Sequence, residues 1–273
     1  MRRLRTLPSY TTFSIMILAF ALAATPAAEG DAGKDARALV ADAVAAVGGA
    51  DQLRALGDVE YVYVYRAATG KTDVSVERYA FDGELSWARF AVRDNVVLPD
   101  LAGELVQGFN GRQAWSTLNG RRLEDQAALG LAGFLRKTNY YWFTMMFKLL
   151  DPGVQHSYEG VRQVGDERYD TVRMTFEAGV GDASDTYLLY INPQTHRVDR
   201  FLFTVMAFGR SEPLMMEVRY EPVAGLMLPT YRRYAPSSWQ GEVAGDAAWA
   251  EEISLAVRFG NGFPRSAFDP PQN

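Results

Sequence analysis

Two histidines, His156 and His196, and no cysteine bound the chemistry open to this 273-residue chain. A thiol nucleophile, a disulfide, an iron–sulfur cluster and cysteine-ligated zinc all require residues it lacks, and two histidines are too few for a multi-histidine metal centre. His156 stands before Ser157 and Tyr158 in a short polar stretch, and His196 at the turn after Asn192-Pro193. Neither lies in a Gly-x-Ser-x-Gly context, so both read as surface histidines. Neighbouring carboxylates are the remaining source of acid–base chemistry: Glu124 with Asp125, Asp166 with Glu167, Asp182 with Asp185, Glu251 with Glu252. Each pair falls in an expected turn, helix start or strand edge. Solvated charge is the ordinary role there, and a carboxylate-dependent hydrolase is the least favoured reading. No GxGxxG, P-loop, HExxH or EF-hand pattern occurs, and no residue set calls for a cofactor or metal.

The concentrated feature is apolar. Tyr140-Tyr141-Trp142-Phe143-Thr144-Met145-Met146-Phe147-Lys148-Leu149-Leu150 combines aromatic and methionine side chains, which adapt to irregular surfaces. As a helix it carries Trp142, Met145, Met146 and Leu149 on one stripe, with Tyr140, Phe143, Phe147 and Leu150 beside it. Lys137, Tyr141, Thr144 and Lys148 remain as a narrow polar line. Such a helix is either buried on nearly all sides or lies over a cavity whose ligand supplies the missing contacts, and Gly130 and Gly133 would ease its movement. The candidate ligand-contacting residues are Trp142, Phe143, Met145, Met146 and Phe147 from this segment, with Met174, Phe176, Met216, Val218 and Tyr220 from apolar strand faces. A methionine-rich packed core accounts for the same pattern, and both readings stay open.

These side chains need elements to hold them. Asp35 to Val47 has helical spacing ended by Gly48-Gly49, and a shorter helical turn is expected over Ala50 to Leu56. About eleven strand segments follow: Val59 to Arg66, Asp73 to Phe81, Leu85 to Val92, Leu105 to Phe109, Gln113 to Leu118, Asp170 to Glu177, Thr186 to Ile191, Arg197 to Ala207, Leu214 to Tyr220, Met227 to Tyr234 and Ile253 to Phe259. Several alternate: Val172, Met174 and Phe176 against Arg173, Thr175 and Glu177, and Met216, Val218 and Tyr220 against Glu217, Arg219 and Glu221. Short turns such as Asp82-Gly83, Asn110-Gly111 and Asn119-Gly120 favour antiparallel neighbours, so the expectation is a β-dominated α+β fold with one antiparallel meander. A sheet of that length must curve, and its apolar face must be covered by the first helix and the long segment Leu123 to Asp151.

Arg2, Arg3 and Arg5 precede an apolar run from Phe13 to Ala24 and a tail of small residues. As a helix the run spans roughly 18 Å against about 30 Å of hydrocarbon, so it reads as a cleaved export signal over residues 1–28, not an anchor. Residues 29–273 are then expected to form a single domain in the periplasm, soluble and without a lipid anchor. The net charge is -5, and removing three arginines makes it more negative, which excludes nucleic acid as a partner.

Val47-Gly48-Gly49-Ala50-Asp51-Gln52-Leu53, the hairpin around Ile191-Asn192-Pro193-Gln194-Thr195, and Tyr220-Glu221-Pro222-Val223-Ala224-Gly225-Leu226-Met227-Leu228-Pro229 resemble the periplasmic lipoprotein carriers. They are more similar still to the LolA-like, outer-membrane lipoprotein-sorting relatives of those carriers. The resemblance implies a strongly curved antiparallel half-barrel of about eleven strands, with helices covering the concave face as a lid over an apolar cavity. It implies lipid or lipoprotein acyl chains as the bound partner, with membrane-associated transfer partners besides. A sensor module of the same fold, regulating a partner protein, is the alternative it also implies.

Overall fold

A computed structural model gives the fold and describes residues 34–180 and 184–271. The expected export signal, and Asp182, lie outside the described residues. The chain begins with α1 (Ala36–Ala46) and α2 (Ala50–Ala55). Asp35 caps α1, its carboxylate accepting from the Arg37 and Ala38 amides at 2.9 and 3.3 Å. Val40, Ala43, Val44 and Val47 are buried along one stripe. Gly48 ends the helix at φ 109°, and a Cβ there would stand 2.6 Å from Leu226 Cδ2, so glycine meets both a conformational and a packing demand.

Two meanders follow. The first is β1 (Asp58–Arg66), β2 (Thr72–Ala80), β3 (Leu85–Arg93), β4 (Leu105–Phe109), β5 (Ala114–Leu118) and β6 (Arg121–Arg122). The second is β7 (Val154–Val164), β8 (Glu167–Phe176), β9 (Tyr187–Ile191), β10 (Val198–Val205), β11 (Arg210–Val223), β12 (Leu226–Pro236) and β13 (Ala250–Phe259). All join in one antiparallel sheet of 13 strands, in the order β6-β5-β4-β3-β2-β1-β13-β12-β11-β10-β9-β8-β7. The first meander runs outward from the centre and the second runs inward from the opposite edge. The sheet is curved and does not close, and one-residue register shifts, with the extra residue in β3, β7, β12 and β13, add local twist.

That order forces the position of the third helix, α3 (Gln126–Lys148). The chain leaves β6 at one edge and must begin β7 at the other, so the connection crosses the whole concave face. A 23-residue helix spans about 34 Å, enough for the crossing. Asp125 caps it by accepting from the Ala128 amide at 2.8 Å, and His156 of β7 donates from Nε2 to Leu149 O, 2.9 Å away, just past its end.

Several expectations are corrected. The sheet has thirteen strands where about eleven were expected, β6 and β7 being the additions. His156 therefore stands in an eleven-residue strand, half-buried, where burial lowers its pKa below the usual 6.5; His196 is on the surface at a left-handed turn position, φ 56°. Gly130 and Gly133 lie inside α3. Thr144, expected on a polar line, is buried, and its hydroxyl donates to Tyr140 O at 2.8 Å, one turn back. Glu252, expected to be solvated, is 5% exposed because Arg232 pairs with it at 2.8 Å.

Candidate functional site

The concave face and α3 share the main core, and the ten candidate ligand-contacting residues all fall in it. Phe143, Met145, Met146, Phe147, Met174, Met216 and Val218 are buried, while Trp142, Phe176 and Tyr220 are partly buried and packed against them. Strand register explains the convergence. Opposite one another across the second meander stand Tyr158, Val172, Leu189, Phe201, Met216 and Tyr234, an almost wholly apolar row. Helix α3 lays Trp142 over this row. Its ring stacks on Phe201 at 5.9 Å between centroids and meets Phe203 and Tyr187 edge-on at 5.1 and 6.4 Å. Phe143, one residue on, reaches the first meander and stacks on Tyr61 at 4.8 Å. The side chains of α3 thus occupy the ground where the resemblance implies a ligand.

The first meander offers a different floor. The row opposite Tyr61 reads Glu77, Ala88, Gln107 and Ser116, all turned inward and all buried. Over it stands Arg136 of α3, which forms a two-point ion pair with Glu77; both side chains are fully buried. Glu77 also accepts from Ser75 Oγ at 2.6 Å and Tyr79 OH at 3.1 Å, and Tyr61 OH lies 2.9 Å from Tyr79 OH. Burial, reinforced by the Glu77 carboxylate, pushes both tyrosine hydroxyls far above their usual range, so they stay protonated. A second ion pair, Arg232 with Glu252, sits nearer the middle of the sheet. Arg232 also donates from Nη1 to the Trp142 carbonyl, tying the helix backbone to β12. Of these groups the sequence singled out Glu252 alone, and as a solvated carboxylate. In β2 the apolar alternation of Val74 and Val76 falls on the outward face, whereas Ser75, Glu77 and Tyr79 face in, the reverse of the usual signal.

Among the described residues no group of three or more His, Cys, Asp or Glu side chains could hold a metal ion. No helix among them is long and apolar enough to cross a membrane.

No family model and no curated protein matches this chain. Among solved structures it is similar to a DUF1329 family protein from Desulfovibrio piger, at 14% identity over 86% of this chain and 97% of that one, with a TM-score of 0.52. It is also similar to a LolA superfamily protein from Nitrosomonas europaea, at 12% identity over 86% and 98% of the two chains, with a TM-score of 0.50. At these identities the likeness establishes the fold: the chain has the LolA-like architecture, a curved antiparallel sheet with helices on its concave face.

Proposed function

We propose that this chain binds acyl chains of a lipid or lipoprotein on its concave face, as a soluble carrier in the periplasm with a binding, not a catalytic, role. The observation that carries the reading is the meeting of two methionine- and aromatic-rich surfaces, the α3 face around Trp142 to Phe147 and the Phe201, Met216 row, with no other element of the described residues between them. A bound chain takes the place of the helix's side chains, so the apolar burial that α3 gives up on lifting is restored by the ligand. Burying a sixteen-carbon chain contributes on the order of 12 kcal/mol gross, comparable to its gain in a bilayer, which makes uptake and release nearly neutral. Met145, Met146, Met174 and Met216, unbranched and polarisable, suit a surface that packs alternately against protein and ligand. The LolA superfamily name of one structural neighbour agrees with this reading.

The test is a titration of the full chain with a fluorescent fatty acid, followed by amide hydrogen exchange. Binding that shifts the tryptophan emission and deprotects the amides of α3 is expected. No binding, or binding that leaves α3 as protected as before, overturns the reading.

A further inference from the structure

The inner surface is not uniformly apolar, and the polar part is incomplete. Among the described residues neither amide atom of Gln107 has a hydrogen-bond partner, although the side chain is fully buried. The same holds for Ser86 Oγ and for Arg136 Nε. Register places Ala88 between Glu77 and Gln107, and Ser116 on the far side of Gln107, so these groups line one patch of β2 to β5 beneath α3. Above the patch α3 turns in Ala128 and Ala132, whose side chains have no polar atoms to offer. Native interiors rarely leave such groups unmatched, and an unmade bond in a buried site is costly. The patch joins the apolar row through Tyr61 and Tyr79, whose hydroxyls bond each other while Phe143 stacks on one ring and meets the other edge-on.

Resting on the acyl-binding reading above, we propose that this patch is a head-group subsite and that the ligand is an amphiphile with an uncharged, hydroxyl-bearing head. Its chain lies toward Phe201 and Met216, and its head meets Ser86, Gln107 and Arg136 Nε. Charge decides the class of head. Arg136 and Glu77 neutralise each other in a two-point pair, leaving no net charge to attract an ion. The unmatched atoms include both donors and acceptors, the amide NH₂ and C=O of Gln107 together with the Ser86 hydroxyl. A phosphate or carboxylate satisfies only donors and an ammonium only acceptors, whereas a hydroxyl satisfies either. An ion would also lose its hydration without a counter-charge.

Three probes with one acyl chain separate the possibilities: 1-monopalmitoylglycerol, methyl palmitate and palmitate, each titrated into the full chain, Gln107→Leu and Ser86→Ala. The wild type should bind the monoacylglycerol about tenfold more tightly than the methyl ester, the worth of one or two matched hydrogen bonds. Gln107→Leu should lose that preference and Ser86→Ala reduce it, with methyl ester affinity unchanged in both. Melting temperatures no lower than wild type would show that the variants fold, since each removes an unmatched group. Equal binding of ester and monoacylglycerol by the wild type, retained preference in both variants, or tightest binding of palmitate overturns the subsite while leaving acyl binding intact. Ester binding that also falls in Ser86→Ala, the smaller change, overturns it too, because the residue then acts on packing alone. If the wild type binds none of the three probes, the acyl-binding reading fails, and the subsite with it.

Discussion

Glu77 and Arg136 are both fully buried and held together at two points, and Ser75, Tyr79 and Asn139 also donate to the carboxylate. Removing one partner strands the other's charge. Glu77→Gln should therefore destabilise the fold by about 3–5 kcal/mol in urea unfolding, while Glu77→Leu combined with Arg136→Met should recover most of that loss. A single variant as stable as wild type would mean that the guanidinium finds another counter-charge. This pair illustrates what the sequence conceals at the residue scale. The core placement of ten apolar residues was legible because bulky side chains bury wherever the fold allows. Glu77, Arg136, Arg232 and Glu252 were not, because a buried charge looks like a surface charge until its partner is placed, and Arg136 lies fifty-nine positions from Glu77.

Among the elements, α1 was the most legible, because its apolar spacing and the Gly48-Gly49 stop are local features of the chain, whereas the helical form of α3 was legible only as a conditional reading of its apolar stripes. The burial depth of α3 was not legible: a helix apolar on both stripes reads the same over a cavity as against a packed sheet. Phe143 and Met146 are 4% and 3% exposed, so in the structure the helix is packed. Phe143→Asp and Met146→Asp should each lower stability by about 3 kcal/mol or more, measured by chemical unfolding, because each buries a charge without a partner. A loss below about 1 kcal/mol at both positions would instead show that α3 sits loosely on the sheet. Strand β7 escaped the sequence reading for a physical reason too. It is an edge strand broken by a bulge between Tyr158 and Gly160, so the inward face that carries His156 and Tyr158 continues beyond the bulge through the exposed Val161, and neither face carries a clean alternation.

At the scale of the molecule, turn residues revealed that neighbours in sequence pair as antiparallel hairpins, and the structure agrees along both meanders. What they could not reveal is the junction of β1 with β13, which no turn connects. That junction spans Val59 with Phe259 to Arg66 with Glu251, reinforced at one end by the Arg66–Glu251 ion pair and on the outer face by Arg258 with Glu60. Asp58 adds to it by accepting from the Asn261 and Phe263 amides at 2.7 and 2.8 Å. A chain ending before Ala250 would leave β1 and β12 as bare edges at the middle of the sheet. Such a truncation should be found in aggregates, with the soluble remainder cut by protease at the ends of α3, the segment that joins the two meanders along the chain. A monomeric, protease-resistant product would show that each meander stands on its own.

The place of that junction also sets a timetable. A chain synthesised from its N-terminus makes β1 before any other strand and β13 after all the rest, yet the two are neighbours. Every hairpin can form as its second strand emerges, but the seam at the centre waits for the final segment, and until then one side of β1 offers its backbone to whatever strand arrives first. The interval between the emergence of β1 and the closing of the seam is thus one in which β1 keeps an unpaired edge at what becomes the middle of the sheet. Whatever escorts the nascent chain has most to protect along the stretch from Asp58 to Arg66.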